Sequence, residues 1–229
     1  MISVVVPTYN EAATVPQLAA RLGGALAGRD WELVVVDDGS PDGTAEAAAA
    51  LAPALPVRVV RRAGKLGLAS AVVAGFAAAR GDTLVVMDAD LSHPPEVVPR
   101  LVDALADGTD LAVGSRYVQG GGTVDWPLRR RIVSRVACLM GNLLVPVRDA
   151  TSGFFALRRA VVEGVRLDPI GFKIGFEVIA RGRYGRVVEV PYTFRDREAG
   201  RSKFGTREVV NYGVQLVNVA RDRLAGRLR

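Results

Sequence analysis

The chain has 229 residues, 49% hydrophobic and 24% charged, which suits a folded protein with room for one large α/β domain or two small ones. A single cysteine, Cys138, excludes an internal disulfide framework and a cysteine-rich zinc site; a single histidine, His93, excludes a two-histidine metal motif. The net charge of +6 is unevenly spread: residues 1–110 carry 8 Lys/Arg against 14 Asp/Glu, and residues 111–229 carry 22 against 10. An acidic half suited to a metal and a basic half facing an anion would account for this split, the plainer alternative being a general arginine bias.

In chain order, the first half alternates apolar β-branched runs with helical spacing. Ile2–Val6 predicts a strand, Thr14–Leu26 a helix, Trp31–Val36 a strand, Asp42–Leu51 a helix and Val57–Val60 a strand. Leu68–Arg80 predicts a helix, Thr83–Met87 a strand, Glu96–Ala106 a helix and Leu111–Gly114 a strand. Such alternation implies a mostly parallel sheet covered on both faces, with ligands bound where the strands end. Beyond Arg116 the pattern changes. Gln119–Thr123 reads as a flexible loop and Leu128–Leu144 as a helix opening on Arg129, Arg130, Arg131 and Arg135. Phe154–Leu157 and Val187–Val190 read as strands, and the chain from Thr206 onward as an amphipathic helix. No repeat or linker interrupts 1–229, so one domain is expected, with 1–115 as a nucleotide-binding half and 116–229 as an acceptor and interface half.

The start, Met1-Ile2-Ser3-Val4, has no basic n-region and is not read as a signal peptide. The longest uncharged apolar stretches, 66–79, 136–147 and 209–220, fall short of the roughly 18–20 residues a bilayer crossing needs.

Three strand exits carry the chemistry. Pro7-Thr8-Tyr9-Asn10-Glu11 places a tyrosine and a glutamate at the end of the first strand, suited to stacking on and hydrogen bonding a base. At Asp37-Asp38-Gly39-Ser40, one carboxylate serves as a turn cap and the other faces the cleft. Asp88-Ala89-Asp90 places two hard oxygen ligands at a strand exit, suited to Mg2+ or Mn2+ completed by substrate phosphates. His93, followed by Pro94-Pro95, reads as structural. No phosphate loop or Gly-x-Gly-x-x-Gly follows the first strand.

These segments, with Lys65-Leu66-Gly67-Leu68, resemble the inverting GT-A glycosyltransferases of family 2. Within that family, Gly114-Ser115-Arg116-Tyr117, Trp126 with Arg129 to Ser134, Thr151-Ser152-Gly153-Phe154, Phe176-Glu177, Glu189-Val190-Pro191 and Arg197 to Lys203 resemble the dolichyl-phosphate (polyprenyl-phosphate) mannosyltransferases. The resemblance implies an α/β GT-A fold, Rossmann-like, with a mostly parallel central sheet, flanking helices and basic C-terminal interface helices. It implies transfer of mannose from GDP-mannose to a polyprenyl phosphate, with UDP-glucose as the alternative donor.

By the same resemblance, Pro7, Tyr9, Glu11, Val36 and Asp38 surround the nucleoside. Asp88, Ala89 and Asp90 meet the diphosphate, with Asp88, Asp90 and Ser92 at the Mg2+ or Mn2+. Ser92 stands where relatives often have glutamine. Arg116 meets sugar and phosphate, Arg131 and Ser134 grip the acceptor phosphate, and Arg197 and Lys203 close over the diphosphate. Asp90, Arg116 and Arg131 are the expected catalytic residues. A lipid acceptor implies a peripheral protein at the cytoplasmic membrane face, on the membrane surface itself or on a small membrane-protein partner. The basic half also fits a nucleic-acid binder, but that class explains neither Asp88 nor Asp90, and no nucleic acid is expected as a partner. A nucleotidyltransferase would present a glycine-rich basic loop where Pro7–Glu11 stands.

Overall fold

The computed structural model describes residues 1–168, 170–196 and 206–228. A seven-stranded sheet runs through its centre, built from β1 (Ile2–Thr8), β2 (Trp31–Asp37), β3 (Val57–Arg61), β4 (Thr83–Val86), β5 (Leu111–Ser115), β7 (Phe155–Arg158) and β8 (Val187–Pro191). The spatial order is β3-β2-β1-β4-β7-β5-β8. All neighbours pair in parallel except β7, which runs antiparallel between β4 and β5.

The sheet is buried on both faces because its strands are apolar at consecutive positions. Successive side chains point to opposite faces. Val5, Val34, Val36 and Val86 join one core with α3 (Leu68–Ala78), α6 (Ile174–Arg181) and α7 (Thr206–Leu224) through Val72, Phe76, Phe176 and Val219. Val4, Val6, Val35 and Val85 join the other with α1 (Val15–Ala25) and α4 (Val98–Asp103) through Leu18, Leu22 and Leu101. The helix α3 lies so close to the sheet that a Cβ at Gly75 would collide with Val5 Cγ1. The short α2 (Thr44–Ala49) covers β2 and β3.

Several elements differ from the sequence expectation. The helix expected over Glu96–Ala106 is divided into a 3-10 turn, Pro95–Val97, and α4, with prolines at the start of each. The loop expected at Gln119–Thr123 contains β6 (Gly122–Thr123), which pairs in parallel with β9 (Thr193–Phe194). The helix α6 was not expected from the sequence, and every residue in it from Ile174 to Ala180 is buried.

The basic helix α5 spans Leu128–Asn142. It buries Cys138 and Gly141 and turns Ile132, Val133, Val136, Leu139 and Met140 outward, with Leu139 65% exposed and Leu143, just beyond its end, 80% exposed. The final helix α7 exposes Val209, Val210, Val214 and Val217 in the same way. Among the described residues, no helix is long and apolar enough to cross a membrane.

Candidate active site

The loops leaving β1, β2 and β4 meet at one sheet edge. Pro7 and Val36 are in register across β1 and β2, as are Thr8 and Asp37. Asp37 closes the β2 turn: it accepts from the Ser40 N–H at 2.9 Å and from Thr8 Oγ1 at 3.2 Å. It is therefore the structural member of the pair. The following glycine, Gly39, has φ +70°, and a Cβ there would press to 3.1 Å from Gly64 Cα, so the two loops touch through their backbones.

Asp38 binds a neighbouring loop as well as facing the cleft edge. Its Oδ1 accepts from Arg62 Nη1 at 2.6 Å, and its Oδ2 accepts the N–H groups of Leu66 and Gly67 at 3.1 and 2.8 Å. A carboxylate offers about four acceptor positions, so capacity for a ligand remains. The same loop carries Lys65, whose Nζ lies 4.2 Å above the Tyr9 ring. Glu11 accepts from Thr14 Oγ1 at 2.8 Å, and its own N–H donates to Thr44 Oγ1. Tyr9, Glu11 and Asp38 thus lie on the loops leaving β1 and β2 at one sheet edge, with Lys65 over the Tyr9 ring.

The loop after β4 is shaped by its own side chains. The Asp88 N–H donates to His93 Nδ1 at 3.0 Å, the Ser92 N–H donates to Asp90 Oδ1 at 3.1 Å, and Leu91 takes a left-handed conformation with φ 62°. The Asp88 side chain is 34% exposed, whereas Ala89, Asp90 and Ser92 are buried. The Ser92 hydroxyl is buried with no hydrogen-bond partner. Two carboxylates beside an orphaned hydroxyl are hard oxygen donors of the kind that Mg2+ and Mn2+ take. Among the described residues, no cluster of three or more His, Cys, Asp or Glu could hold a metal, which suits an ion completed by phosphate oxygens and water. The residues present fit such an ion.

Across the cleft, Arg116 is nearly buried and paired at two points with Asp149: Nε to Oδ2 at 2.7 Å and Nη2 to Oδ1 at 2.6 Å. Nη2 also donates to Thr151 Oγ1 at 2.9 Å. Burial works against the Arg116 charge, but Asp149 outweighs it and holds the guanidinium protonated. Burial likewise opposes the Asp149 charge, and Arg116 overcomes it to leave the carboxyl below its usual range. The resemblance implies a ligand role for Arg116; in the structure its Nε and Nη2 are held by Asp149, and Nη2 by Thr151 as well.

The aromatic surroundings of Arg116 come from Tyr117 and Trp126, with its Cζ 5.4 Å from each ring. Tyr117 donates its hydroxyl to Ser134 Oγ at 2.8 Å, which brings Ser134 to this cluster. Arg131 stands exposed on α5, three residues before Ser134 and so on the same helical face. Arg197 and Lys203 lie outside the described residues.

Sequence reasoning missed Lys173. It donates to the Thr151 carbonyl at 3.3 Å. Burial pushes its pKa down, Arg116 adds to that, and Asp149 and Asp88 pull the other way. A signal for it existed. Among 30 basic residues only Lys65, Lys173 and Lys203 are lysines: Lys65 caps Tyr9, Lys173 joins the Arg116 cluster, and Lys203 falls in the segment expected to close the site.

Residues 3–166 match glycosyl transferase family 2. A curated relative, "Dolichol-phosphate mannosyltransferase" of Pyrococcus furiosus, is 50% identical over 92% of this chain and 61% of its own length. This chain therefore spans about three fifths of that relative. The Saccharomyces cerevisiae protein of the same name is 40% identical over 93% of this chain and 85% of its own. Among solved structures, glucosyl-3-phosphoglycerate synthase from Mycobacterium tuberculosis, in complex with Mn2+, UDP and glucosyl-3-phosphoglycerate, is 26% identical with a TM-score of 0.69, covering 97% of this chain and 79% of that one. Another crystal of that enzyme holds Mn2+, UDP-glucose and phosphoglyceric acid.

The bound ligands correct one expectation. GDP-mannose and a polyprenyl phosphate were expected from the motifs, yet these two glucosyl-3-phosphoglycerate synthase structures hold UDP or UDP-glucose with phosphoglyceric acid or glucosyl-3-phosphoglycerate. They favour the alternative donor over the main one. Their Mn2+ agrees with the two-carboxylate loop of this chain. With its Rossmann-like α/β GT-A architecture and its match over residues 3–166, the chain belongs to glycosyl transferase family 2.

Proposed function

We propose that the chain transfers glucose from UDP-glucose to a phosphate-monoester acceptor, with inversion at the sugar. One observation carries this reading: the Asp88/Asp90 loop and the Arg116–Lys173 cationic cluster share one strand-end cleft, close enough for Asp88 to bear on the Lys173 charge. One side suits a metal-bound leaving diphosphate and the other an incoming anion.

Pro7, Tyr9, Glu11, Val36 and Asp38 would hold the nucleoside, with Lys65 over Tyr9 closing the pocket. Asp88, Asp90 and Ser92 would hold the divalent cation, which when bound supplies neutralisation of the diphosphate as it departs. Arg116, Arg131 and Ser134 would receive the acceptor phosphate. Arg197 and Lys203 would add donors at the diphosphate.

The acceptor class is supported by the commitments of the two buried groups beside Arg116 and the Asp88 loop that would otherwise serve as a base. The chain's one histidine is buried and already accepts from Asp88, and Asp149 is committed to Arg116. A phosphate monoester is largely dianionic at neutral pH, its second pKa being about 6, so it brings its own nucleophile. One phosphate oxygen forms the bond to the anomeric carbon from the face opposite the diphosphate. The bond from that carbon to the diphosphate oxygen breaks, and its electron pair leaves with the diphosphate. No proton need move. The obstacle is electrostatic: two unit anions at about 4 Å repel by about 4 kcal/mol at an effective dielectric of 20. Uncompensated, that slows attack by about three orders of magnitude. Arg116 and Lys173 offset this repulsion while Asp149 and Thr151 keep them aimed.

A peripheral location is supported by the exposed apolar face of α5 beside Arg129, Arg130, Arg131 and Arg135. A helix with this distribution lies in a membrane interface without spanning it.

The test is nucleoside diphosphate release with UDP-glucose or GDP-mannose against phosphoglycerate and a short lipid phosphate. UDP release from UDP-glucose that depends on a phosphate acceptor is expected. Preference for GDP-mannose would overturn the donor, and transfer to an acceptor lacking phosphate would overturn the acceptor class.

A further inference from the structure

The loop that follows β4 depends on a side chain that the mechanism above does not use. Met87 N–H donates to the Val5 carbonyl as the strand ends. The next amide, that of Asp88, donates to His93 Nδ1 at 3.0 Å. We propose that His93 is a positioning residue: its Nδ1 lone pair fixes the Asp88 backbone, and so the direction in which the Asp88 carboxylate enters the cleft. This rests on Asp88 and Asp90 being the metal-binding pair.

The imidazole is well placed to act as a fixed post. It is buried and stacks on Phe154 with centroids 4.9 Å apart and planes 9° apart. Tyr192 and Phe194 meet it edge-on at 5.7 and 5.9 Å. Phe154 is itself fully buried, immediately before β7, the strand that neighbours β4. The ring is therefore tied to the same sheet that carries the carboxylates. The Asp88 N–H pointing at Nδ1 requires a lone pair there, which leaves the ring proton on Nε2. A ring that merely filled space would need no acceptor there, and phenylalanine would serve equally well. Partners that orient a ligand in this way typically change metal affinity by about 10–100-fold when removed.

The acceptor and the ring can be separated by substitution. In His93→Asn, the amide oxygen occupies nearly the place of Nδ1 and can still accept from Asp88. In His93→Gln, the amide reaches to the Nε2 position and cannot. In His93→Phe, the stack is kept and the acceptor is lost. Mn2+ binding in the presence of UDP is measured from the electron paramagnetic resonance signal of free Mn2+, with a thermal melt of each variant and Asp88→Ala as reference.

The expected result is that His93→Asn stays within about threefold of the parent while His93→Gln and His93→Phe weaken Mn2+ binding by about tenfold or more, whatever the order of their melting temperatures. Parent-like Mn2+ binding by His93→Gln overturns the proposal, as does equal weakening in His93→Asn and His93→Gln. Should His93→Phe not fold, the Asn and Gln pair decides, being alike in polarity and different in reach. If Asp88→Ala binds Mn2+ like the parent, the metal-pair reading falls and His93's role with it. If Asp88→Ala loses the ion and His93→Gln does not, only the role of His93 falls.

Discussion

Arg116 and Asp149 form a two-point ion pair on the acceptor side of the cleft, Nε to Oδ2 at 2.7 Å and Nη2 to Oδ1 at 2.6 Å, with the Arg116 backbone N–H donating to the same carboxylate at 2.9 Å. Asp149 is completely buried and is held from behind by Glu189, which accepts its N–H at 3.0 Å. The pair fixes one cation of the site at the end of β5, so its loss should damage both fold and chemistry.

Asp149→Asn should lower stability by about 3–5 kcal/mol, because a buried guanidinium loses its counter-charge. Urea denaturation measures this. A double replacement, Arg116→Met with Asp149→Leu, should recover much of the stability and none of the transfer activity. Recovery of activity in the double variant would remove Arg116 from the reaction.

The same pair sets an acid limit. Burial alone would raise the Asp149 carboxyl, but Arg116 lowers it below its usual value, so the folded protein binds that proton less readily than the unfolded chain does. Its contribution is fully present above the ordinary carboxylate range and is lost as pH falls through the lower, folded value. The difference in stability between the parent and the Arg116→Met/Asp149→Leu protein should therefore shrink as pH is lowered below about 4. A difference that stays constant down to that range would show that the pair does not titrate with folding.

Much of the fold is legible in the sequence because it rests on consecutive β-branched residues. Val4-Val5-Val6 and Val34-Val35-Val36 can be buried on both faces only in a covered parallel sheet, and they are. The Asp88/Asp90 loop is legible for the same reason, since two carboxylates so close together end an apolar strand, although Asp90 stays buried beyond it. Other features depend on contacts distant in sequence. The antiparallel insertion of β7 between β4 and β5 and the β6–β9 pairing carry no local pattern. Asp38's attachment to Arg62 and to the amides of Leu66 and Gly67 joins segments 24 to 29 residues apart. Lys173 reaches the site only because α6 packs where it does.

On the acceptor side, Arg131→Ala should raise the KM for the phosphate acceptor by about tenfold while changing the KM for UDP-glucose little, since hydrogen bonds to charged groups contribute about 1.5–3 kcal/mol. Ser134→Ala should act in the same direction and more weakly, as its hydroxyl already accepts from Tyr117. Steady-state kinetics in both substrates separates these effects. Equal rises in both KM values would remove Arg131 from the acceptor site.

The outward apolar face of α5 predicts interfacial binding. Arginines near an anionic leaflet contribute about 1 kcal/mol each, so binding should be reversible and weakened by salt. The protein should float with anionic liposomes at low salt, and Leu139→Asp with Leu143→Asp should abolish flotation even there. Flotation that is unchanged in that variant would assign the exposed face to something other than lipid.

The central claim, that Asp88 and Asp90 hold the divalent cation on which sugar transfer depends, is tested most directly by the transfer rate with Mn2+, with EDTA, and in Asp88→Asn and Asp90→Asn. A fall of more than about 100-fold is expected in EDTA, restored by added Mn2+, with an equally large loss in each variant that added Mn2+ does not restore. Transfer that continues undiminished in EDTA, or in either variant, would contradict it.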